Sequence, residues 1–224
     1  MPSRPAARTL EVRHLQLIRA LLAAVAAIMI TFSADHGAGY GLSVFSGYVV
    51  TLGLVLLLGA WMIYRKGSRA AVLSIGILSL VAGMVTGVPV YRSITLFFVV
   101  VIGWALVSGL IEGISGLRGM RRAAASGDRI ARSDARDGLV VGAITVLLGL
   151  GLLLVPAQYS LNYVIAEAHR SFTLTGIAIA VGIFGGYAAV VAVYLGIAGL
   201  SPRRSAPVVD AAQVAAHPDS EESA

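Results

Sequence analysis

The 224 residues are 58% hydrophobic and only 12% charged, with a mean hydropathy of +0.87. The charged share is about half that of a soluble globular chain, which excludes an ordinary soluble domain and implies an integral membrane protein. There is no cysteine, so a disulfide framework and Cys-based metal or redox chemistry are excluded as well.

The net charge is +6 with a pI near 10.1. The basic residues cluster just outside the apolar runs, and no polar segment is long enough to fold a nucleic-acid-binding module. The charge therefore reads as a membrane-orientation signal, and no nucleic-acid partner is expected.

The elements expected in chain order are six membrane helices. Each run has the length of about 17–25 residues that a bilayer demands. A cytoplasmic segment, 1–14, precedes the first run, Leu15–Phe32, which reads as an uncleaved helix because no clean cleavage site follows it. With the second run, Leu42–Tyr64, it forms a degenerate first hairpin, 15–64. The third and fourth runs, Ala70–Val88 and Ile94–Leu117, form a second hairpin, 70–117. A basic cytoplasmic loop, 118–137, leads to a third hairpin, 138–200. That hairpin holds the runs Gly138–Val155 and Phe172–Leu200 and an extended outer loop, 157–171. A tail rich in Ala, Pro, Ser and acids, 201–224, is expected to be disordered. The fold class is thus all-α, with six transmembrane helices as three parallel hairpins.

Orientation follows from the loops. Fifteen of the seventeen basic residues fall on the side that holds both termini, and only Arg92 and Arg170 on the other. By the positive-inside rule both termini are cytoplasmic, in a bacterial inner membrane. The arginine clusters there are expected to attract anionic lipid headgroups.

The third and fifth runs share a pattern: Gly76, Gly83 and Pro89 match Gly142, Gly149 and Pro156. The fourth and sixth correspond too, Gly103, Gly113 and Gly116 matching Gly186, Gly196 and Gly199 at one constant offset. Gly53 and Gly59 match Gly103 and Gly109 more loosely. Two helices per copy make this a parallel repeat. The glycines serve close helix packing, since lipid gives apolar side chains no reason to associate. In the sixth run Ala178, Gly182, Gly185, Ala189, Ala192, Gly196 and Gly199 form a heptad seam, which Gly109, Gly113 and Gly116 continue in the fourth. Such seams also suit a homo-oligomer.

The stretches "VLSIGILSLVAGMVTGVPV" with "VVVIGWALVSGLIEGISGLRGMRR", and "VVGAITVLLGLGLLLVP" with "GIFGGYAAVVAVYLGIAGLSPRR", resemble the HdeD-like bacterial acid-resistance membrane proteins, over roughly Ala70 to Arg204. The resemblance implies a six-helix inner-membrane protein linked to acid stress, with no established enzymatic activity, and no cofactor is expected. Some members carry a glutamate late in the helix, as this chain does at Glu112.

Glu112 is the residue that composition leaves unexplained. Helical spacing puts it beside Gly109 and Gly116, on the small-residue seam. It lies about 9 Å from Arg118 along the axis. An acid within a span is expected to be paired or to carry function. Arg19, at the basic end of the first run, is the expected partner. The matching positions in the second and sixth runs, Met62 and Leu195, hold no acid, so the repeat itself does not build a charged pore.

The remaining polar residues are weaker signals. In "TFSADHG", Ser33, Asp35 and His36 are the residue types of a hydrolase triad, yet near-adjacent residues do not orient as one. Asp35, His36, Glu167 and His169 share the outer face, where histidines titrate near neutrality and would sense pH. Their spacing matches no metal motif. Tyr159 and Tyr163, one turn apart, make the outer loop an amphipathic surface helix. The function expected is a non-enzymatic membrane protein of stress or envelope-maintenance type. The alternatives are a small transporter or proton-coupled channel using Glu112, and a membrane enzyme acting on lipid or acyl groups.

Overall fold

A computed structural model describes residues 12–63, 69–165 and 170–201. Helices α1 (Val12–Thr31), α2 (Ala38–Met62), α3 (Arg69–Gly87), α4 (Ile94–Ser126), α5 (Arg129–Leu153) and α6 (Gly176–Leu200) account for the six apolar runs. All six are long and apolar enough to cross a membrane, so this is a multi-pass membrane protein. The 1–11 segment, the 64–68 connection, Glu167, His169 and the 202–224 tail lie outside the described residues.

Two expected segments differ. The 118–137 segment is not a loop. Helix α4 runs through it to Ser126, 33 residues in all, or about 50 Å, well beyond a hydrocarbon core of about 30 Å. The reversal is confined to two residues. Gly127 takes a left-handed backbone (φ 69°) that ends α4, a conformation glycine adopts without steric cost. Asp128 then caps α5, accepting from the Ile130 and Ala131 amides at 3.0 Å. The arginines of this segment therefore stand on a helical hairpin projecting from the bundle.

The outer loop, in turn, is not a helix. Strands β1 (Ser160–Ile165) and β2 (Arg170–Thr175) pair antiparallel, Leu161 opposite Leu174 and Asn162 opposite Thr173. The alternation in "SLNYVI" and "RSFTLT" has period two, with the β-branched residues that suit strands, and it outweighs the spacing of the two tyrosines. The Thr173 hydroxyl donates to the Asn162 side chain at 2.6 Å across the pair.

The helices form a closed ring in chain order, α1 meeting α6. The seams alternate. Helices α2 and α3, α4 and α5, and α6 and α1 pack extensively, while α1–α2, α3–α4 and α5–α6 meet sparingly. The packed pairs thus cut across the hairpins expected from sequence, and α1 belongs with α6. Helix α2 touches α4 and α6 across the middle, so the even-numbered helices line the axis.

Burial repeats three times around this ring. One constant shift places Phe45, Tyr48 and Leu52 of α2 on Val101, Trp104 and Ser108 of α4, and another places those on Phe184, Tyr187 and Val191 of α6; all nine are buried. Among the odd helices Ala20, Ser79 and Thr145 correspond, as do Ala23, Ala82 and Leu148. This register sets Leu56, Glu112 and Leu195 at one level. The match of Glu112 to Met62 is corrected: Gly53 aligns with Gly109, and Met62 is exposed.

Glycine closes the packed seams. A Cβ on Gly53 would stand 2.8 Å from the Gly76 carbonyl oxygen, one on Gly109 2.8 Å from that of Gly142, and one on Gly116 2.7 Å from that of Ala135. Gly113 leaves open space at its own Cβ position but lends its backbone nitrogen to the contact with Gly142. On α6 the expected seam splits into two rows. Gly185 and Gly199 press on Ile30 and Leu17 of α1, whereas Gly182 and Gly196 would meet nothing within 4 Å. A strict heptad holds both rows only if partners lie on both sides, and α6 has a close neighbour on one side alone.

Candidate functional site

Arg19 lies two turns into α1 and Glu112 about two turns inside the projecting part of α4. The guanidinium meets the carboxylate through both oxygens, Nη1 to Oε1 at 2.7 Å and Nη2 to Oε2 at 3.1 Å. The side chains keep 16% and 12% of their surface. The pairing expected from sequence is therefore present, in the two-pronged geometry that arginine favours. The Ser115 hydroxyl donates to the Glu112 carbonyl at 3.0 Å.

One turn away a second polar contact joins three helices. The Gln16 amide donates to Asp137 Oδ2 at 2.9 Å, and the Tyr194 hydroxyl donates to Asp137 Oδ1 at 3.0 Å. Sequence reasoning missed Asp137 by placing it in a loop. Once α5 is extended back to Arg129, Asp137 falls one helical turn before the buried Val141, and that periodicity is the signal that would have found it.

Both contacts stand on the wall of a cavity of about 470 Å³ at the arginine-rich end of the ring. Apolar groups supply most of its lining, with Leu56 and Leu195 at the level of Glu112 and with Arg118 and Arg122 also on its wall. The volume falls within the range of about 300–1,000 Å³ of small-molecule sites.

Toward the opposite end the axis is closed. Phe45 stands edge-on to Trp104 at 5.4 Å between centroids and to Phe184 at 5.6 Å, and Tyr48 meets the same two rings at 6.2 and 6.0 Å. The polar atoms of this layer are satisfied internally. Trp104 Nε1 donates to Ser79 at 3.0 Å, and the Tyr187 and Thr145 hydroxyls share a hydrogen bond of 3.1 Å. Edge-to-face rings with satisfied polar tips make a rigid layer, so the cavity is blind. Trp104→Phe is expected to cost about 1 kcal/mol, the net value of one hydrogen bond, plus the packing of the lost ring; chemical unfolding of the purified protein reads it.

No family model, no curated protein and no solved structure matches this chain. The resemblance to the acid-resistance proteins accordingly rests on the quoted motifs alone.

The other sequence candidates are less assembled. Ser33, Asp35 and His36 form a local turn, not a triad. Ser33 Oγ accepts from the Asp35 amide at 3.1 Å, and Asp35 Oδ1 accepts from the Gly37 amide at 2.7 Å. His36 lies beside Thr173 and Thr175 of β2. Whether Glu167 and His169 join it falls outside the described residues. Among the described residues no three of His, Asp and Glu gather as a metal site. Arg92 spans the end of α3, donating to Ser43 Oγ at 2.6 Å and to the Gly87 carbonyl at 3.3 Å, which makes it a clasp at the arginine-poor end.

Proposed function

We propose that this protein is a non-enzymatic membrane carrier that takes a small solute into the cavity at its arginine-rich end. The observation that carries the reading is the Arg19–Glu112 pair. It stands at a level where the other two copies in the ring hold Leu56 and Leu195, inside a cavity closed beyond it by aromatic rings. A charge introduced once into a threefold apolar layer costs desolvation. It is better spent on a solute than on packing, which leucine serves at the two equivalent positions.

The seams suggest how access would alternate. Glycine and apolar side chains make most of the contact within the packed pairs, with Arg13 donating to the Gly199 carbonyl and Ser46 to the Gly83 carbonyl. Hydrogen bonds between side chains, in contrast, cross the looser seam between α6–α1 and α4–α5: Arg19 to Glu112, Gln16 and Tyr194 to Asp137, and Tyr187 to Thr145. Hydrogen bonds exchange partners more readily than close-packed backbones separate. Rocking of one packed pair against the next would break and remake these contacts. In this reading the stress or envelope role suggested by resemblance would be a consequence of what is carried.

Proteoliposomes loaded with a small-molecule extract and a trapped pH dye test the reading. Loss of a defined solute or entry of protons is expected with the parent protein and not with Glu112→Gln. A parent that moves neither would overturn it.

The arginine-rich end is proposed to face the cytoplasm. Ser126→Cys, at the tip of the α4–α5 hairpin, is expected to resist an impermeant maleimide in intact cells and to react after permeabilisation. Leu161→Cys, exposed on β1, is expected to react in both. With no native cysteine the background is silent, and the reverse pattern would invert the topology.

A further inference from the structure

The charges on the cavity wall are of two kinds. Arg19 and Glu112 neutralise one another. Asp137 does not share that arrangement: its two oxygens accept from the Gln16 amide and the Tyr194 hydroxyl, both neutral donors. Among the described residues no ion pair joins it to a cation. Arg118 and Arg122, one turn apart on α4, line the same cavity, and among the described residues no ion pair joins either to an acid. Asp134 also lines the cavity; beside it, Asp137 and the two guanidinium groups of Arg118 and Arg122 have not paired with each other, around a wall of Leu15, Leu56, Val141 and Leu195.

We propose that the cavity binds a zwitterion with an apolar body, its primary ammonium group on Asp137 and its anionic group on Arg118 and Arg122. Such a molecule satisfies both unpaired signs at once, which a simple cation or anion does not. The Gln16 and Tyr194 donors hold the carboxylate in place and leave its remaining lone pairs for an N–H donor. Two guanidinium groups one turn apart suit a carboxylate or a phosphate. The apolar wall takes the rest of the molecule, and about 470 Å³ admits a body the size of a phenyl or isobutyl group. The same chemistry belongs to a free amino acid and to the headgroup of an aminophospholipid. The inference rests on the carrier reading only for the fate of the ligand, not for where it binds.

The test uses the full chain, purified without aminophospholipid, and three probes with a common ring: L-phenylalanine, 2-phenylethylamine and 3-phenylpropionate. Equilibrium dialysis is expected to show phenylalanine bound at least about tenfold more tightly than either single-charge analogue, the worth of one charge-assisted hydrogen bond. Asp137→Asn keeps one acceptor oxygen and puts an NH2 in place of the other, from which the Tyr194 hydroxyl or a turned Gln16 amide can accept, and it is expected to reduce phenylalanine to the level of the propionate. Arg118→Ala with Arg122→Ala is expected to reduce it to the level of the amine. If a lipid headgroup is the occupant, phosphatidylethanolamine in place of phosphatidylcholine in nanodiscs raises the unfolding temperature of the parent and not of Asp137→Asn. The proposal is overturned if neither preference appears, or if either survives in Asp137→Asn. Phenylalanine bound but never carried would leave this site standing and remove the carrier. Flux of another solute by a protein without either preference would do the opposite.

Discussion

Replacing Arg19 and Glu112 together by leucine is expected to leave the protein at least as stable as the parent, while either replacement alone is strongly destabilising. Removing one partner of a fully buried pair costs about 3–5 kcal/mol, whereas exchanging both for apolar groups is often neutral or stabilising. The pair keeps 16% and 12% of its side-chain surface, so the single changes are expected nearer the lower figure. Leu56 and Leu195 show that this level of the ring accepts leucine, and a third would complete the layer. Unfolding of the helical signal in detergent reads the three variants beside the parent, and all three are expected to lose flux. A double variant as unstable as the single ones would mean that the pair is kept for the strength of the bundle, and the carrier would lose its main support.

Alanine at two glycines is expected to act with opposite sign. At Gly142 the new methyl group would land on the Gly113 backbone nitrogen, with the Gly109 carbonyl oxygen at 2.7 Å. Backbone atoms do not yield as a side-chain tip does, so α4 and α5 must part along their length. The expected cost is about 3 kcal/mol or more, at or above the usual range for overpacking. At Gly182 the methyl group enters open space, and the gain is about 0.5–1 kcal/mol from a stiffer unfolded chain and a better helix former. The same unfolding measurement checks both. Equal effects would show that the packed seam between α4 and α5 is looser than its geometry.

Much of this was legible in the sequence, and the failures have physical causes. The spans were legible because a bilayer fixes their length. The Arg19–Glu112 pair was legible because a lone acid in an apolar run needs a counterion, and few cations lie at that depth. Register was harder. Gly53 and Gly59 match Gly103 and Gly109 by spacing, yet burial aligns Gly53 with Gly109, since two glycines six apart are too little pattern to fix a shift. The ends of α4 and α5 were hidden by their charge: a run of arginines reads as loop, although arginine is a good helix former and Gly127-Asp128 held the true stop and start. Asp137 was lost with that error. The α1–α6 seam leaves little trace, because its small residues on α1 are alanines, which any helix carries.

That seam bears on the order in which the molecule is made. Of the six helices α1 is made first, and its close partner α6 is complete only at Leu200. At about 5–20 residues per second α1 waits roughly 10–30 s in the bilayer, while α2–α3 and α4–α5 can close as soon as each is synthesised. During that wait Arg19 lacks Glu112 until α4 arrives. The nascent chain therefore has an open ring, and α6 is the piece that shuts it. A chain stopped before Gly176 is expected to expose α1 to membrane proteases, whereas a circular permutant that begins at α2 and carries α1 after α6 would close each pair in turn.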